Sequence, residues 1–188
     1  MFIHEKAICD SNEVGNGTRI WPFTHVMAGS KIGENCNIGE HCFIEQGAII
    51  GNRVTVKNGV SIWEKVKIED DVFIGPNVVF TNDLVPRSFI KKESNELLET
   101  RIKTGATIGA NATIVCGHII GEFSFIGAGS VVTRDVKDFE IVFGNPVKSK
   151  GWICECGQKL DLSQNTEANC ECGKIYQLED NILSKKNS

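Results

Sequence analysis

The chain has 188 residues and a formal net charge of −4, with 41% hydrophobic and 23% charged residues. That balance predicts a folded protein with a buried core, which excludes a disordered regulator, and its mild acidity excludes a general nucleic-acid binder. No apolar run approaches the ~20 residues that a bilayer span needs.

Met1 to Asp10 carry neither the basic stretch nor the long apolar stretch of a secretory signal, so a cytoplasmic protein is expected. The eight cysteines are then expected as thiols or metal ligands rather than disulfides. From Ile8 a large apolar residue recurs at every sixth position: Ile8, Val14, Ile20, Val26, Ile32, Ile38, Ile44, Ile50, Val56, Ile62, Ile68, Ile74 and Phe80. Small or β-branched residues follow four places later, among them Ser30, Cys36, Cys42, Ala48, Val54, Val60 and Val72. A period of six fits neither a 3.6-residue helix nor a plain alternating strand. It fits short strands joined by tight turns, stacked so that each unit buries one apolar residue. The predicted fold is all-β, a hexapeptide-repeat parallel β-helix spanning residues 1–150. Its left hand, and three hexapeptide units per coil, are what resemblance to the hexapeptide family implies. Cys36 and Cys42 read as packing residues in the small inward position. Cys9 and Cys116 carry no clear role.

The step from Phe80 to Ile102 is not a multiple of six. An inserted loop is therefore expected at about 81–101, with Pro86, the charged run Lys91, Lys92, Glu93 and a helix-compatible stretch from Asn95 to Thr100. Loops beyond the needs of a scaffold often carry function. With three hexapeptides per coil, Gln46, Glu64 and Asn82 stack in one column, beside a column of Glu45, Trp63 and Thr81. A carboxylate, an amide and an indole would meet at the base of the loop. Arg87, within the loop, is a candidate phosphate or carboxylate contact because its fork suits both.

The period resumes at Ile102, Ile108, Ile114, Ile120, Ile126 and Val132. His118 falls in the normally small inward position of its repeat. His25 and His41 are not a whole coil apart and do not stack, and His4 reads as terminal. After about Lys150 the period stops, leaving a tail at 151–188. In it Cys154-Glu155-Cys156-Gly157 and Cys170-Glu171-Cys172-Gly173 form two matching, Gly-terminated pairs. Four such thiols resemble a small zinc ribbon, a structural site with no open position for catalysis. The C-x-C spacing is tighter than the commoner C-x-x-C. A metal-free tail packed on the helix is the other reading.

The segments Ile62-Trp63-Glu64, Ile68 to Asp83 and Pro86-Arg87-Ser88 resemble the bacterial nucleotide-sugar N-acetyltransferases. So do Asn111 to Gly117, Ile126 to Thr133, and Gly144-Asn145-Pro146-Val147 followed by Gly151-Trp152. Over nearly its whole length the chain is similar to the UDP-2-acetamido-3-amino-2,3-dideoxyglucuronate N-acetyltransferases of surface-polysaccharide (lipopolysaccharide) synthesis. The Trp63 and Asn82-Asp83 pattern is also like transferases acting on dTDP-3-amino-3,6-dideoxyhexoses. The resemblance implies acetyl-CoA as co-substrate, a nucleotide-linked 3-amino sugar as acceptor, and a homotrimer with sites in the clefts between subunits. It implies that Asn82 orients the amine, that Glu64 or Asp83 attracts it, and that Trp63 lines the sugar site. It places CoA against Gly109, Ala110, Gly127 and Ala128, with Thr133 following and Arg134 toward a CoA phosphate. An O-acetyltransferase is the main alternative and would need a histidine base, for which His118 is the candidate. A carbonic-anhydrase-like metal site would need three convergent histidines, which the spacing of His25, His41 and His118 does not provide. A non-catalytic scaffold would have no need of Glu64, Asn82 or the loop.

Overall fold

The computed structural model describes residues 1–186. Short strands, mostly of two residues, alternate with tight corners from Phe2 to Val132. In most of them one side chain points in and its neighbour points out, because strand side chains alternate in direction. The strands stack into three parallel faces. The first face holds Phe2–Ile3, Arg19–Ile20, Asn37–Ile38, Thr55–Val56, Phe73–Ile74, Thr107–Ile108 and Phe125–Ile126, continued by Glu140–Phe143. The second holds Ile8–Cys9, His25–Val26, Phe43–Ile44, Ser61–Ile62, Val79–Phe80, Thr113–Ile114 and Val131–Val132. The third holds Lys31–Ile32, Ile49–Ile50, Val66–Ile68, Thr100–Ile102 and Ile119–Ile120. Phe43 pairs with Ser61 and Thr55 with Phe73, so one coil is three hexapeptides.

The sixth-position residues form the core. Ile20, Ile38, Ile44, Ile62, Ile74, Ile108 and Ile114 are fully buried, and Ala48, Val54, Val60, Ala106 and Ala112 fill the corners between them. Each such Ile contributes ~1.5–3 kcal/mol by leaving water. No two-residue strand is stable alone, so the column and the coil-to-coil hydrogen bonds hold each other in place. The buried hydroxyls of Thr18 and Thr24 donate to the carbonyls of Gly33 and Gly39 at 2.7 and 2.6 Å. Cys36 and Cys42 are buried as expected, their thiols donating to the Gly51 and Lys57 carbonyls. Among the described residues no buried side-chain nitrogen or oxygen lacks a partner.

The structure corrects the simple repeat in four places. In the first coil Ile3 pairs with Ile20 and Cys9 with Val26, a step that falls one position short of three hexapeptides. Cys9, not Ile8, therefore takes the inward place, and Ile8 is 56% exposed. At the loop, Val79 pairs with Thr113, where an unbroken repeat would bring Leu97, so the chain between leaves the coil and returns to it. The expected helical stretch from Asn95 to Thr100 is only a 3-10 turn, Ser94–Glu96. The reciprocal side-chain caps of Glu93 and Glu96 close that turn, Leu97 is extended, and Thr100 already belongs to the third face. At the far end Phe125 pairs with Ile141 rather than Phe143, and Glu140–Phe143 then turns back antiparallel onto Lys148–Ile153. The boundary expected at residue 150 thus lies inside a strand that extends the first face.

The tail adds Lys159–Leu160 to that face and folds Glu167–Asn169, Ile175–Glu179 and Ile182–Lys185 into a separate antiparallel sheet. Among the described residues no helix is long and apolar enough to cross a membrane.

Candidate active site

The corner between the second and third faces gathers the residues at the base of the loop. Trp63 and Glu64 leave the strand Ser61–Ile62 there, and Thr81 and Asn82 leave Val79–Phe80 one coil on. A coil step is about 4.8 Å. The column is visible in the contacts. Asn82 Nδ2 reaches the Glu64 carbonyl at 3.5 Å, and the Glu64 N–H donates to Glu45 Oε2 at 2.7 Å. Gly47 matters here: its φ is +82°, and a side chain would press on Glu64 Cγ, 3.1 Å away. The Trp63 indole donates to the Phe80 carbonyl at 2.9 Å and packs against Phe43 and the core. It is a wall of the corner, fixed by its hydrogen bond.

The loop is tied down onto this column. The Ser94 hydroxyl donates to Glu64 Oε1, and the Leu98 N–H donates to the Asn82 carbonyl at 3.0 Å. Lys92 pairs with Asp83, whose carboxylate also caps the Val85 N–H at 2.8 Å. The Lys92 hydrogen bond holds the Asp83 carboxyl below the usual carboxylate range. Asp83 is therefore a loop anchor. An open cleft of about 420 Å³ is lined by Met27, Gly29, Glu45, Gln46, Gly47 and Glu64 of the coils and by Ser94 at the edge of the loop. Two carboxyl groups and a carboxamide facing one cleft suit a cationic or hydroxyl-rich ligand. Asn82 Oδ1 has no hydrogen-bond partner among the described residues. Arg87 is exposed; its carbonyl accepts the Ile90 N–H at 3.1 Å, and the only hydrogen bond of its guanidinium among the described residues goes to the Pro86 carbonyl at 3.4 Å. Ser94, Lys92 and Leu98 were not legible as site residues, since their placement depends on the loop's path, whereas Met27 lies one coil before Glu45 in a column the period already implies.

The other expected residues divide between two corners. Thr133 and Arg134 stack above Val115 and Cys116, and so above Thr81 and Asn82. Gly109, Ala110, Gly127 and Ala128 lie at the opposite edge of the second face, at the corner with the first. There Gly109 is required by close stacking, because a Cβ would sit 2.5 Å from the Ala128 nitrogen. Ala128 is exposed, and the Ala110 and Ala128 N–H groups have no acceptor among the described residues. Arg134 is already engaged. Its fork grips Glu140 at 2.9 and 3.1 Å and also donates to the Asp135 carbonyl. Burial alone would raise the Glu140 carboxyl, but hydrogen bonds from Arg134, the Lys137 N–H and Ser149 outweigh it and hold it low.

His118 does not fill the interior as its repeat position predicts. The column below it is Ala48, Val66 and Thr100, too narrow for an imidazole, and His118 stays half-buried with Nδ1 3.5 Å from Asp135 Oδ1. His25 pairs with Asp10 at 3.0 Å and His41 stacks on Phe23, so neither joins the corner. Cys116 is buried, its N–H donating to Thr81 Oγ1 at 3.0 Å. In the tail, the sulfurs of Cys154, Cys156, Cys170 and Cys172 all lie within 4.8 Å of one another.

The family model described as bacterial transferase hexapeptide (six repeats) matches residues 13–46 and 47–82. The hexapeptide repeat of succinyl-transferase matches 30–63 and 100–134. The chain is 53% identical over 184 residues to the dTDP-3-amino-3,6-dideoxy-alpha-D-galactopyranose 3-N-acetyltransferase of Aneurinibacillus thermoaerophilus, covering 98% of this chain and 94% of that one. It is 32% identical to the galactoside O-acetyltransferase of Lactococcus lactis, over 50% of this chain and 49% of the other. Among solved structures, a galactoside acetyltransferase in complex with coenzyme A shares the fold. Its TM-score is 0.55 at 23% identity, over 68% of this chain and 66% of that one. The acetyltransferase domain of PglB from Neisseria gonorrhoeae, solved with acetyl coenzyme A, gives 0.51 at 21% identity, over 78% of this chain and 56% of the other.

Proposed function

The chain belongs to the hexapeptide-repeat nucleotide-sugar N-acetyltransferases, and from that membership we propose that it acetylates the 3-amino group of a dTDP-linked 3-amino-3,6-dideoxyhexose, with acetyl-CoA as donor. The observation that carries this reading is the 53% identity over nearly the full length to a dTDP-3-amino-3,6-dideoxy-alpha-D-galactopyranose 3-N-acetyltransferase, joined to an open cleft walled by Glu45, Gln46 and Glu64 and edged by Ser94 of the loop. In the reaction the neutral amine attacks the thioester carbonyl, the C–N bond forms, and the C–S bond breaks. CoA leaves as thiolate and takes up a proton, and the amide nitrogen has lost one.

The residues divide that work. Glu64 draws the ammonium form into the cleft, with its carboxylate positioned by Ser94. Asn82 presents Oδ1 to the amine and aims its lone pair at the thioester, a contribution of proximity and orientation. A free amine is nucleophilic enough to attack without a strong base. Trp63 supports the sugar face, and Arg87, free of a carboxylate partner among the described residues, takes the diphosphate. The exposed corner at Ala110 and Ala128 offers backbone N–H groups to acetyl-CoA. The corner at Asn82 and the one at Ala128 lie on opposite edges of the second face, and this favours a homotrimer in which adjacent subunits complete each site. The product suits synthesis of a surface polysaccharide. The four tail thiols fit a closed structural site with no open coordination position, so the transfer is assigned to the β-helix.

The test is CoA thiol release with acetyl-CoA and a panel of dTDP- and UDP-linked 3-amino sugars, their 4-amino isomers and the matching 3-hydroxy compounds. Turnover confined to dTDP-linked 3-amino sugars is expected. Preference for the UDP compounds would overturn the nucleotide assignment. Turnover only on the hydroxyl compounds would overturn N-acetylation and move the chemistry to His118.

A further inference from the structure

The tail holds four thiols that acetyl transfer does not use, in two copies of one backbone turn. The N–H of Cys154 donates to the Gln158 carbonyl at 2.8 Å, and that of Cys170 to the Lys174 carbonyl at 2.9 Å. The N–H of Gly157 returns to the Cys154 carbonyl, and that of Gly173 to the Cys170 carbonyl, both at 2.8 Å. Both glycines are left-handed, with φ of +91° and +89°. The two turns face each other. Cys154 Sγ lies 3.5 Å from Cys172 Sγ, and Cys156 Sγ lies 3.5 Å from Cys170 Sγ. A tetrahedral zinc with Zn–S bonds near 2.3 Å has S–S edges of about 3.8 Å. The 3.5 Å contacts and the 4.8 Å limit on all four sulfurs bracket that edge. Four soft thiolates select zinc over harder cations. Such a centre carries two negative charges, and the further carboxylate of Glu155, between Cys154 and Cys156, is paired by Lys174 and Lys185.

The cluster is also wired to the end of the β-helix. The Tyr176 hydroxyl lies 3.1 Å from Cys154 Sγ and accepts the Glu155 N–H, and the whole side chain is buried. Its ring meets Phe139 edge-on at 5.4 Å, and Phe139 stacks at 5.7 Å on Phe123 at a corner of the last full coil. The Ile153 N–H donates to the Phe139 carbonyl, and Lys137 donates to the Asn181 carbonyl at 2.7 Å. The tail's own core is small, being Phe139, Trp152, Cys154, Leu160, Ala168, Cys170, Tyr176 and Leu183. Cys154 and Cys170, both in that core, are members of the thiol cluster. So small a core needs a staple.

We propose that Cys154, Cys156, Cys170 and Cys172 bind one structural zinc ion, and that this ion locks the tail, through Tyr176 and Phe139, as a cap on the C-terminal end of the β-helix. The inference does not depend on the acetyl-transfer reading.

The experiment uses the full chain purified without added metal. Elemental analysis is expected to find one zinc per chain, lost in the double variant Cys154→Ser, Cys170→Ser. Cys156 and Cys172 are exposed, yet a thiol reagent should label them slowly until a chelator strips the ion. Chelation should also open residues 151–186 to protease while the β-helix stays protected. Tyr176→Phe keeps the ring; it should retain stoichiometric zinc but release it to a competing chelator about tenfold faster. Absence of zinc, iron in its place, or two disulfides by mass would overturn the metal assignment. An unchanged cleavage pattern after chelation, or unchanged release from Tyr176→Phe, would overturn the cap.

Discussion

Asn82 is the residue on which the proposed chemistry turns, because its Oδ1 is unpartnered among the described residues while Nδ2 is held by the Glu64 carbonyl. Asn82→Ala should lower kcat by about 100-fold by losing orientation, with CoA affinity unchanged by calorimetry. His118→Ala should leave amine turnover within a few-fold, since the imidazole pairs with Asp135 instead of joining the corner. A loss as large as that of Asn82→Ala would make His118 the base. Glu140 gives a test of stability. Its carboxyl is held low in the folded protein by Arg134, the Lys137 N–H and Ser149 against the opposing effect of burial. A depressed folded pKa means that the stabilisation is present above the unfolded carboxylate range and is lost as pH falls through the folded value. The melting temperature of the native chain should thus fall more steeply below about pH 4.5 than that of Glu140→Gln. Parallel curves would show that the Arg134 pair contributes nothing.

At the scale of elements, the loop differs from the coils it interrupts. The coils rest on buried columns, and Ile62→Ala should cost about 2–5 kcal/mol, read by chemical denaturation. The loop rests on a few polar ties, Ser94 to Glu64 and Lys92 to Asp83 among them. The double variant Lys92→Met, Ser94→Ala should leave the melting temperature within a degree or two and raise the sugar KM about tenfold. An unchanged KM would remove the loop from the site. This contrast also explains what could be read from the residues alone. A buried column repeats its demand every sixth position, so the helix, the Asn82 column and the break after Phe80 were all legible. The exceptions lie where the column is weakest. Cys9 replaces Ile8 inside because the first coil steps one position short of three hexapeptides, as Cys9 pairing with Val26 shows. The loop's path, and with it Ser94 over Glu64, follows from contacts far apart in the chain that no local pattern announces. The engagement of Arg134 by Glu140 was hidden for a related reason: nothing in the sequence around that guanidinium and that carboxylate shows that the two are bidentate.

At the scale of the molecule, the decisive feature is the width of the second face. Asn82 stands on one of its edges and Ala128 on the other. The interior between them is filled by the buried Ile62, Phe80, Ile114 and Val132, so the core separates the two corners. In the proposed function, a single chain then offers its amine corner and its CoA corner on opposite edges of that face. The proposed homotrimer would bring the amine corner of one copy against the CoA corner of the next. The arrangement can be tested by complementation. Asn82→Ala damages only the first corner, and Ala128→Trp, at an exposed position, obstructs only the second. Each variant alone should be nearly inactive. If adjacent subunits supply the two halves, random mixing in co-expressed trimers leaves about a quarter of the sites with both halves intact, and activity returns to about a quarter of the native value. If one chain supplied both halves, every site would carry one lesion and mixing would restore nothing. The recovered fraction therefore reads the geometry of the site directly.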